Sequence, residues 1–479
     1  MNETFVLFDE DEGNAMKRQV HIHSGVVQGL AATDPAITVF RGIPFAQPPV
    51  GELRWRAPQP VTPWKGILET FDFAPTAMQP TPGNSNEFYD KEWGTDPSVD
   101  MSEDCLYVNV WTPALRGNKE STHTVGEKKP VMVWIYGGAY QTGGTFEKEF
   151  DGETLARHDV IVVSIAYRLN AFGFFAHPQL GNAANFGFLD QQAGIRWVKE
   201  NIEAFGGDPN NITVFGQSAG AASVLAQICS PGNTGLFQHA IMQSGGGLGY
   251  FNAHLASLEE IQANGVRLFD ALGVTTLEEA RAIPARHLLE AAENLPVPPE
   301  SGHEGEWPML VNWQPCIDGA FLDRQERDII RSHDAADVDV IIGNTTGEFM
   351  ETTEEGTVIP AGQRGNYEFI DEWIDAKYRA PYYYHFDISM PGDDAGAFHS
   401  SDLWFVFSTL HKCWRPFEGW HYDVAHAMTS FWARFAHDGN PEGETLPEWK
   451  HTTKRHEFMN FARRVSMSAD LSRKEEEEE

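Results

Sequence analysis

Short β-branched, apolar runs alternate with polar turn clusters through the first half of the chain. Residues 37–40, 106–111, 131–136 and 160–167 are enriched in Val, Ile, Tyr and Trp and bounded by Gly, Pro and Asn, a pattern that predicts buried strands. Between the last of these and a further run at 212–215 lies the segment 190–202, whose apolar residues Ile195, Val198 and Ile202 share one helical face. Strand, helix, strand, followed by another helix, is the rhythm of a parallel sheet covered on both faces, so the pattern predicts an α/β fold.

Beyond residue 250 the pattern changes. Segments 255–261, 276–280 and 287–292 carry Ala, Leu and Glu at helical spacing and are expected to pack over the carboxyl edge of the sheet, where open α/β sheets bind ligands. With a loop expected over 296–308, they make 253–310 a helical, lid-type insertion. Strands at 338–342 and 382–386 and a long helix over 420–437 complete the alternation. No break in it marks a second domain, so residues 1–479 form one domain in this reading. The terminal residues 470–479, ending in a run of glutamates, are expected to be a disordered acidic tail.

Composition narrows the function. The net charge of −34 argues against nucleic acid and against anionic membrane surfaces as partners. Cys105, Cys229, Cys316 and Cys413 lie far apart with no CxxC and no metal-ligand spacing, so neither a zinc site nor a disulfide framework is expected. The acidic N-terminal stretch lacks the basic and then apolar pattern of a signal peptide, and no apolar run is long enough to span a membrane. A cytoplasmic protein is the expectation, with the Asn-x-Ser/Thr triplets at Asn2, Asn211 and Asn344 arising by chance. No pattern specifies an oligomeric state.

Against this background one pentapeptide carries chemistry. Gly216-Gln217-Ser218-Ala219-Gly220 sits between a strand-like run and a small-residue helix start, the context of a nucleophile elbow. There a sharp turn lifts a serine clear of the sheet and flanking glycines remove Cβ clashes. A serine hydroxyl needs a base and an orienting carboxylate. Glu348 follows the 338–342 strand pattern by a few residues, and His399 lies in a loop between the 382–386 strand and an aromatic helix start. Eighteen histidines compete for the base role; His239, His411, His426 and His437 fall in segments expected to be helical. Small residues after the 131–136 strand, Gly138 and Ala139, let backbone N–H groups approach a substrate oxygen, and with Ala219 they would form a three-donor oxyanion hole. Such chemistry needs no metal or cofactor.

These residues resemble those of the type-B carboxylesterases, the family of cholinesterases and para-nitrobenzyl esterases. The matching motifs run in order from Gly42-Ile43-Pro44-Phe45-Ala46 through Ser102-Glu103-Asp104-Cys105, Tyr136-Gly137-Gly138-Ala139, Tyr167-Arg168 and the elbow to Gln243-Ser244-Gly245, Phe398-His399-Ser400-Ser401-Asp402 and Gly439-Asn440-Pro441. The resemblance implies an α/β-hydrolase fold, a mostly parallel sheet with a reduced helical lid over an active-site gorge. It implies Ser218 as nucleophile, Glu348 as acid, His399 as base, Gly138, Ala139 and Ala219 as oxyanion donors, and Ser244 as a support for Glu348. Arg54 with Glu103 and Arg168 with Asp190 match two structural ion pairs of the family.

Several positions depart from the pattern. Ala77 stands where a partner for Cys105 is expected, so that disulfide cannot form and the 79–101 loop depends on packing. Gln217 replaces a more usual Glu, Tyr136 stands where a His is usual, and Trp93 lies near, not at, a choline-binding position. Acid and base are 51 residues apart, shorter than is usual, which predicts a more open pocket unless a loop over 356–365 fills it; the shortening also leaves Glu351 as an alternative acid. Tyr140, Phe349, Phe398 and Trp404 favour apolar or aryl ester groups as a small-molecule substrate. The competing functions are a catalytically silent, neuroligin-like scaffold on the same fold, and a thioesterase or amidase with the same triad.

Overall fold

The structure, a computed structural model, describes residues 18–81, 87–93, 99–115, 128–248, 255–297, 312–352, 356 and 358–469. An eleven-stranded sheet runs through it. Its strands are Leu30–Ala31 (β1), Thr38–Pro44 (β2), Tyr107–Thr112 (β3), Lys129–Ile135 (β4), Ile161–Ile165 (β5), Gly207–Gln217 (β6), His239–Gln243 (β7), Asp339–Thr345 (β8), Tyr382–Phe386 (β9), Phe458–Phe461 (β10) and Ser466–Ser468 (β11). Across the sheet they are ordered β11-β10-β9-β8-β7-β6-β4-β5-β3-β2-β1. All pairings from β10 to β5 are parallel, and the antiparallel pairings are confined to the two edges.

Each predicted strand run lies in this sheet, and the reason is visible in burial. Strands β4 to β8 are almost wholly buried apart from the start of β6 at 208–211, as a parallel sheet covered on both faces requires. Gly194 of the helix Phe186–Asn201 lets backbone settle on Ile165, where a Cβ would meet the side chain at 2.6 Å. Trp134 packs instead on Phe150 and Phe407. The long helix is Gly419–Asp438, close to the predicted span. Among the described residues no helix is long and apolar enough to cross a membrane.

Two expectations are corrected. His239 opens strand β7 and does not lie in a helix; with Ala240, Ile241 and Met242 it belongs to a five-residue buried run too short to show a period. The segment 356–365 is not a loop over the gorge: Val358–Pro360 pairs with Met350–Thr352 as a small hairpin, and the helix Ala361–Asp375 begins directly after it. Gly365, the end of the expected loop, is buried in that helix, and its backbone comes so close to Gly247 that a Cβ on Gly247 would meet it at 2.4 Å.

The helical segment after β7 is bracketed by a two-stranded parallel pairing of Ala256–Ser257 with Cys316–Ile317. Helix Leu258–Leu272 starts on a reciprocal capping box between Ser257 and Glu260 and stops at left-handed Gly273; Leu277–Ala282 starts on the same device at Thr276 and Glu279. Phe269 stacks on His177 at 4.1 Å and on Phe175, which stacks on Trp55. Most of the loop expected over 296–308, and all of the 470–479 tail, lie outside the described residues.

Candidate active site

Strand β6 ends at Gln217 and the helix Ala219–Cys229 begins two residues later, which forces Ser218 to turn the chain alone. Its φ of 57° and ψ of −129° are outside the ordinary regions for a side-chain-bearing residue, a strain on the order of 1–3 kcal/mol that surrounding structure must offset. Three glycines allow the turn. A Cβ on Gly220 would collide with the Ile135 carbonyl, one on Gly245 with the Ser218 carbonyl, and one on Gly216 would meet the Gly220 backbone at 2.5 Å. The Ser218 N–H is fixed by the Gln243 carbonyl at 2.8 Å.

His399 and Glu348 come together from different elements. Glu348 follows β8, and His399 lies in the turn before the short helix Leu403–Val406. His399 Nδ1 is 2.6 Å from Glu348 Oε2, and the carboxylate is fully buried. The alternative acid is elsewhere engaged: Glu351 is half exposed and pairs with Arg364 at 2.8 Å. At the other ring nitrogen, His399 Nε2 is 3.2 Å from Gln217 Nε2. Phe349 covers the imidazole, with ring centroids 4.4 Å apart.

The segment after β4 bends through three successive left-handed residues, Gly138 (φ 101°), Ala139 (54°) and Tyr140 (64°). Gly138 O accepts from the N–H groups of Gln141 and Thr142, and Tyr140 O accepts from Asn170. With the carbonyls turned to those partners, the N–H groups of Gly138 and Ala139 take part in no hydrogen bond among the described residues, nor does that of Ala219 at the helix start. Such donors suit a developing oxyanion.

Of the expected pocket aromatics, Phe349 and Phe398 lie beside His399, in space or in sequence. Phe398 meets Phe88 and Tyr89 of the short helix Glu87–Trp93 edge-on, and the Tyr89 hydroxyl is 3.4 Å from the His399 carbonyl oxygen. Tyr140 packs on Phe174 and Phe188. Trp404 is fully buried against Trp93, and its indole N–H donates to Glu92. Ser244 Oγ is buried and makes no hydrogen bond among the described residues, so no direct bond from it to Glu348 is seen.

Two groups near the centre were assigned no role from the sequence, although Asp402 lies in the matched motif around His399. Glu92 and Arg415 form a buried ion pair at 2.9 Å. Asp402 is buried three residues after His399 and accepts from Tyr384 at 2.9 Å and Gln243 at 3.0 Å; burial pushes its carboxyl up to about 6 against the pull of those two bonds. The expected ion pairs are present. Arg54 grips Glu103 through two bonds of 2.6 Å and also donates to the carbonyls of Ala280 and Ile283, tying the helical segment to the body. Arg168 grips Asp190 through two bonds of 2.7 Å, and burial pushes that carboxyl up while Arg168 draws it down.

A serine on a strand-to-helix elbow of a mostly parallel sheet, with a histidine and a carboxylate supplied by later strand ends, defines the α/β-hydrolase class. Within that class the chain belongs to the carboxylesterase family, whose sequence profile matches residues 16–368 and 363–478. It is 30% identical to para-nitrobenzyl esterase of Bacillus subtilis (strain 168), over 88% of this chain and 90% of that one. It is also 30% identical to fumonisin B1 esterase of Sphingopyxis macrogoltabida, over 94% and 87% respectively. A solved PNB esterase structure superposes with a TM-score of 0.80 at 29% identity, covering 95% of this chain and 98% of that one. The protein is a serine carboxylesterase.

Proposed function

We propose that this esterase hydrolyses small to medium apolar or aryl carboxylic esters through Ser218, His399 and Glu348. The observation that carries the reading is the 2.6 Å contact between His399 Nδ1 and the buried Glu348 carboxylate, beside a serine held in a strained elbow. His399 takes the proton from Ser218 as Oγ attacks the ester carbonyl, and Gly138, Ala139 and Ala219 donate to the oxyanion. Protonated His399 passes the proton to the leaving alcohol. Water then attacks the acyl-serine by the same route in reverse. Glu348 fixes the ring tautomer and offsets the charge that develops on it.

The acyl and alcohol groups meet aromatic surface from Phe349 and Phe398, which favours apolar substituents, and the acidic surface disfavours polyanionic esters. Four free cysteines, three of them buried, suit a reducing compartment, and the cytoplasm is the proposed location. The helical insertion over 253–310 would act as the lid, tied to the body through the Arg54 bonds to Ala280 and Ile283.

The test is hydrolysis of p-nitrophenyl esters from acetyl to octanoyl, and benzoyl, by the wild type and by Ser218→Ala. Activity in the wild type that falls by about 10⁴ or more in the variant is expected. Matched thioester and anilide substrates should turn over more slowly than the ester; a faster thioester would change the substrate class. Undiminished activity in Ser218→Ala would remove the serine from the mechanism.

A further inference from the structure

Gln217 immediately precedes Ser218 and is buried. Its carboxamide spans two parts of the site. Nε2 is 3.2 Å from His399 Nε2, while Oε1 lies 3.2 Å from where a Cβ on Gly137 would stand, so a larger residue at 137 would press on the amide. The direction of the bond to histidine follows from the other ring nitrogen. Nδ1 faces the Glu348 carboxylate at 2.6 Å. An ionised carboxylate only accepts, so Nδ1 carries the proton and Nε2 of the neutral ring offers a lone pair. The Gln217 amide N–H donates to that lone pair, the same one that must take the Ser218 proton.

We propose that Gln217 is a positioning residue: it caps His399 Nε2 in the resting enzyme, favours the neutral ring, and turns aside or flips when the serine proton moves. The proposal rests on the reading of Ser218, His399 and Glu348 given above. A hydrogen bond to the neutral form of a titratable group stabilises that form. Imidazolium, whose Nε2–H can only donate, meets an NH₂ group and gains a partner only when the carboxamide presents Oε1. A carboxylate in the same place would stabilise imidazolium instead. The other groups facing the ring or its backbone stand on separate elements or further along its own: Glu348 at Nδ1, Asp402 within electrostatic reach, and Tyr89 at the His399 carbonyl. All three stay in place when only Gln217 is changed.

The experiment is an NMR titration of the His399 imidazole in the wild type, Gln217→Glu and Gln217→Ala, with His399→Gln used to assign the signal. The acid limb of kcat/KM for p-nitrophenyl butyrate is recorded on the same proteins. The midpoint is expected about one pH unit or more higher in Gln217→Glu and higher by a smaller step in Gln217→Ala, with the kinetic limb following. Folded variants whose midpoints stay at the wild-type value, or fall, would overturn the proposal, and Gln217→Ala decides if Gln217→Glu does not fold. The NMR midpoints need no substrate, so they test Gln217 even if the Ser218→Ala assay overturns the hydrolytic mechanism.

Discussion

Glu92 and Arg415 meet at 2.9 Å with both side chains withdrawn from water, an ion pair reaching out of the 79–101 loop that no disulfide closes. Glu92 also accepts from the indoles of Trp404 and Trp414, each at 3.1 Å, and Arg415 reaches on to Asp393 at 2.7 Å. The pair thereby fastens the helix Glu87–Trp93, whose Phe88 and Tyr89 pack on Phe398 beside His399. Cys105, by contrast, is a free, buried thiol.

Arg415→Met should therefore cost about 3–5 kcal/mol, because it leaves the Glu92 charge buried without its cation. Urea unfolding measures this. Removal of the exposed Lys91 side chain, which lies over Trp414, should cost under about 1 kcal/mol. Equal effects from both would mean that the buried pair does not anchor the helix.

Glu348→Gln preserves shape and removes the charge opposite His399 Nδ1. A fall in kcat of about 10³ to 10⁴ with little change in KM is expected, since the amide no longer fixes the tautomer or offsets imidazolium. Glu351→Gln, which breaks only the half-exposed bond to Arg364, should stay within about threefold. Steady-state kinetics on one ester decides between the two carboxylates.

Gly220→Ala puts a methyl group against the Ile135 carbonyl, at a helix position that would otherwise accept alanine readily. The elbow must open to admit it. Loss of at least about 2 kcal/mol is expected from thermal unfolding, with esterase activity falling by more than the folded fraction does. An alanine variant of wild-type stability would show that the turn is less tight than its geometry requires.

Stability should depend on pH through Asp402. Its folded carboxyl is raised to about 6 from 3.8 by burial, so the unfolded chain ionises first. Folding is therefore favoured most below the unfolded value and loses roughly 3 kcal/mol as pH rises from about 4 through 6. Asp402→Asn keeps an oxygen that can accept from Tyr384 or Gln243 and does not titrate. The stability of the variant relative to wild type should climb over that interval and level off near pH 7, as read by urea unfolding at several pH values. A difference that stays flat would show that the carboxyl is not held away from its ordinary range.

The parts of this protein legible in its sequence are those set by short-range sterics. Runs such as Val131-Met132-Val133-Trp134 mark strands because β-branched and aromatic side chains suit a doubly covered sheet, and they were found there. The Gly216 to Gly220 elbow is legible because a positive φ at one serine demands small neighbours within two residues. The order of Ser218, Glu348 and His399 is legible as a pattern along the chain. The segment 356–365 reads as a loop but folds as a hairpin strand and the start of a helix, because glycine serves close approach, as Gly365 does to Gly247, as readily as flexibility, and only the neighbour tells which.

Tertiary structure alone decided the rest. Nothing near Glu92 announces an arginine 323 residues away, and nothing near Gln217 shows that its amide ends on His399 rather than in solvent. Distance from the preceding strand favours Glu348 over Glu351 in the sequence, and the fold seats Glu348 at His399 Nδ1 while Glu351 turns to Arg364. Local sequence restricts backbone torsions and side-chain faces, whereas the partner of a buried polar group depends on where distant strand ends arrive. The sequence by itself determined the elbow and the sheet; the fold determined which side chains meet there, because desolvated charges and donors must find partners from whatever segments packing brings within reach.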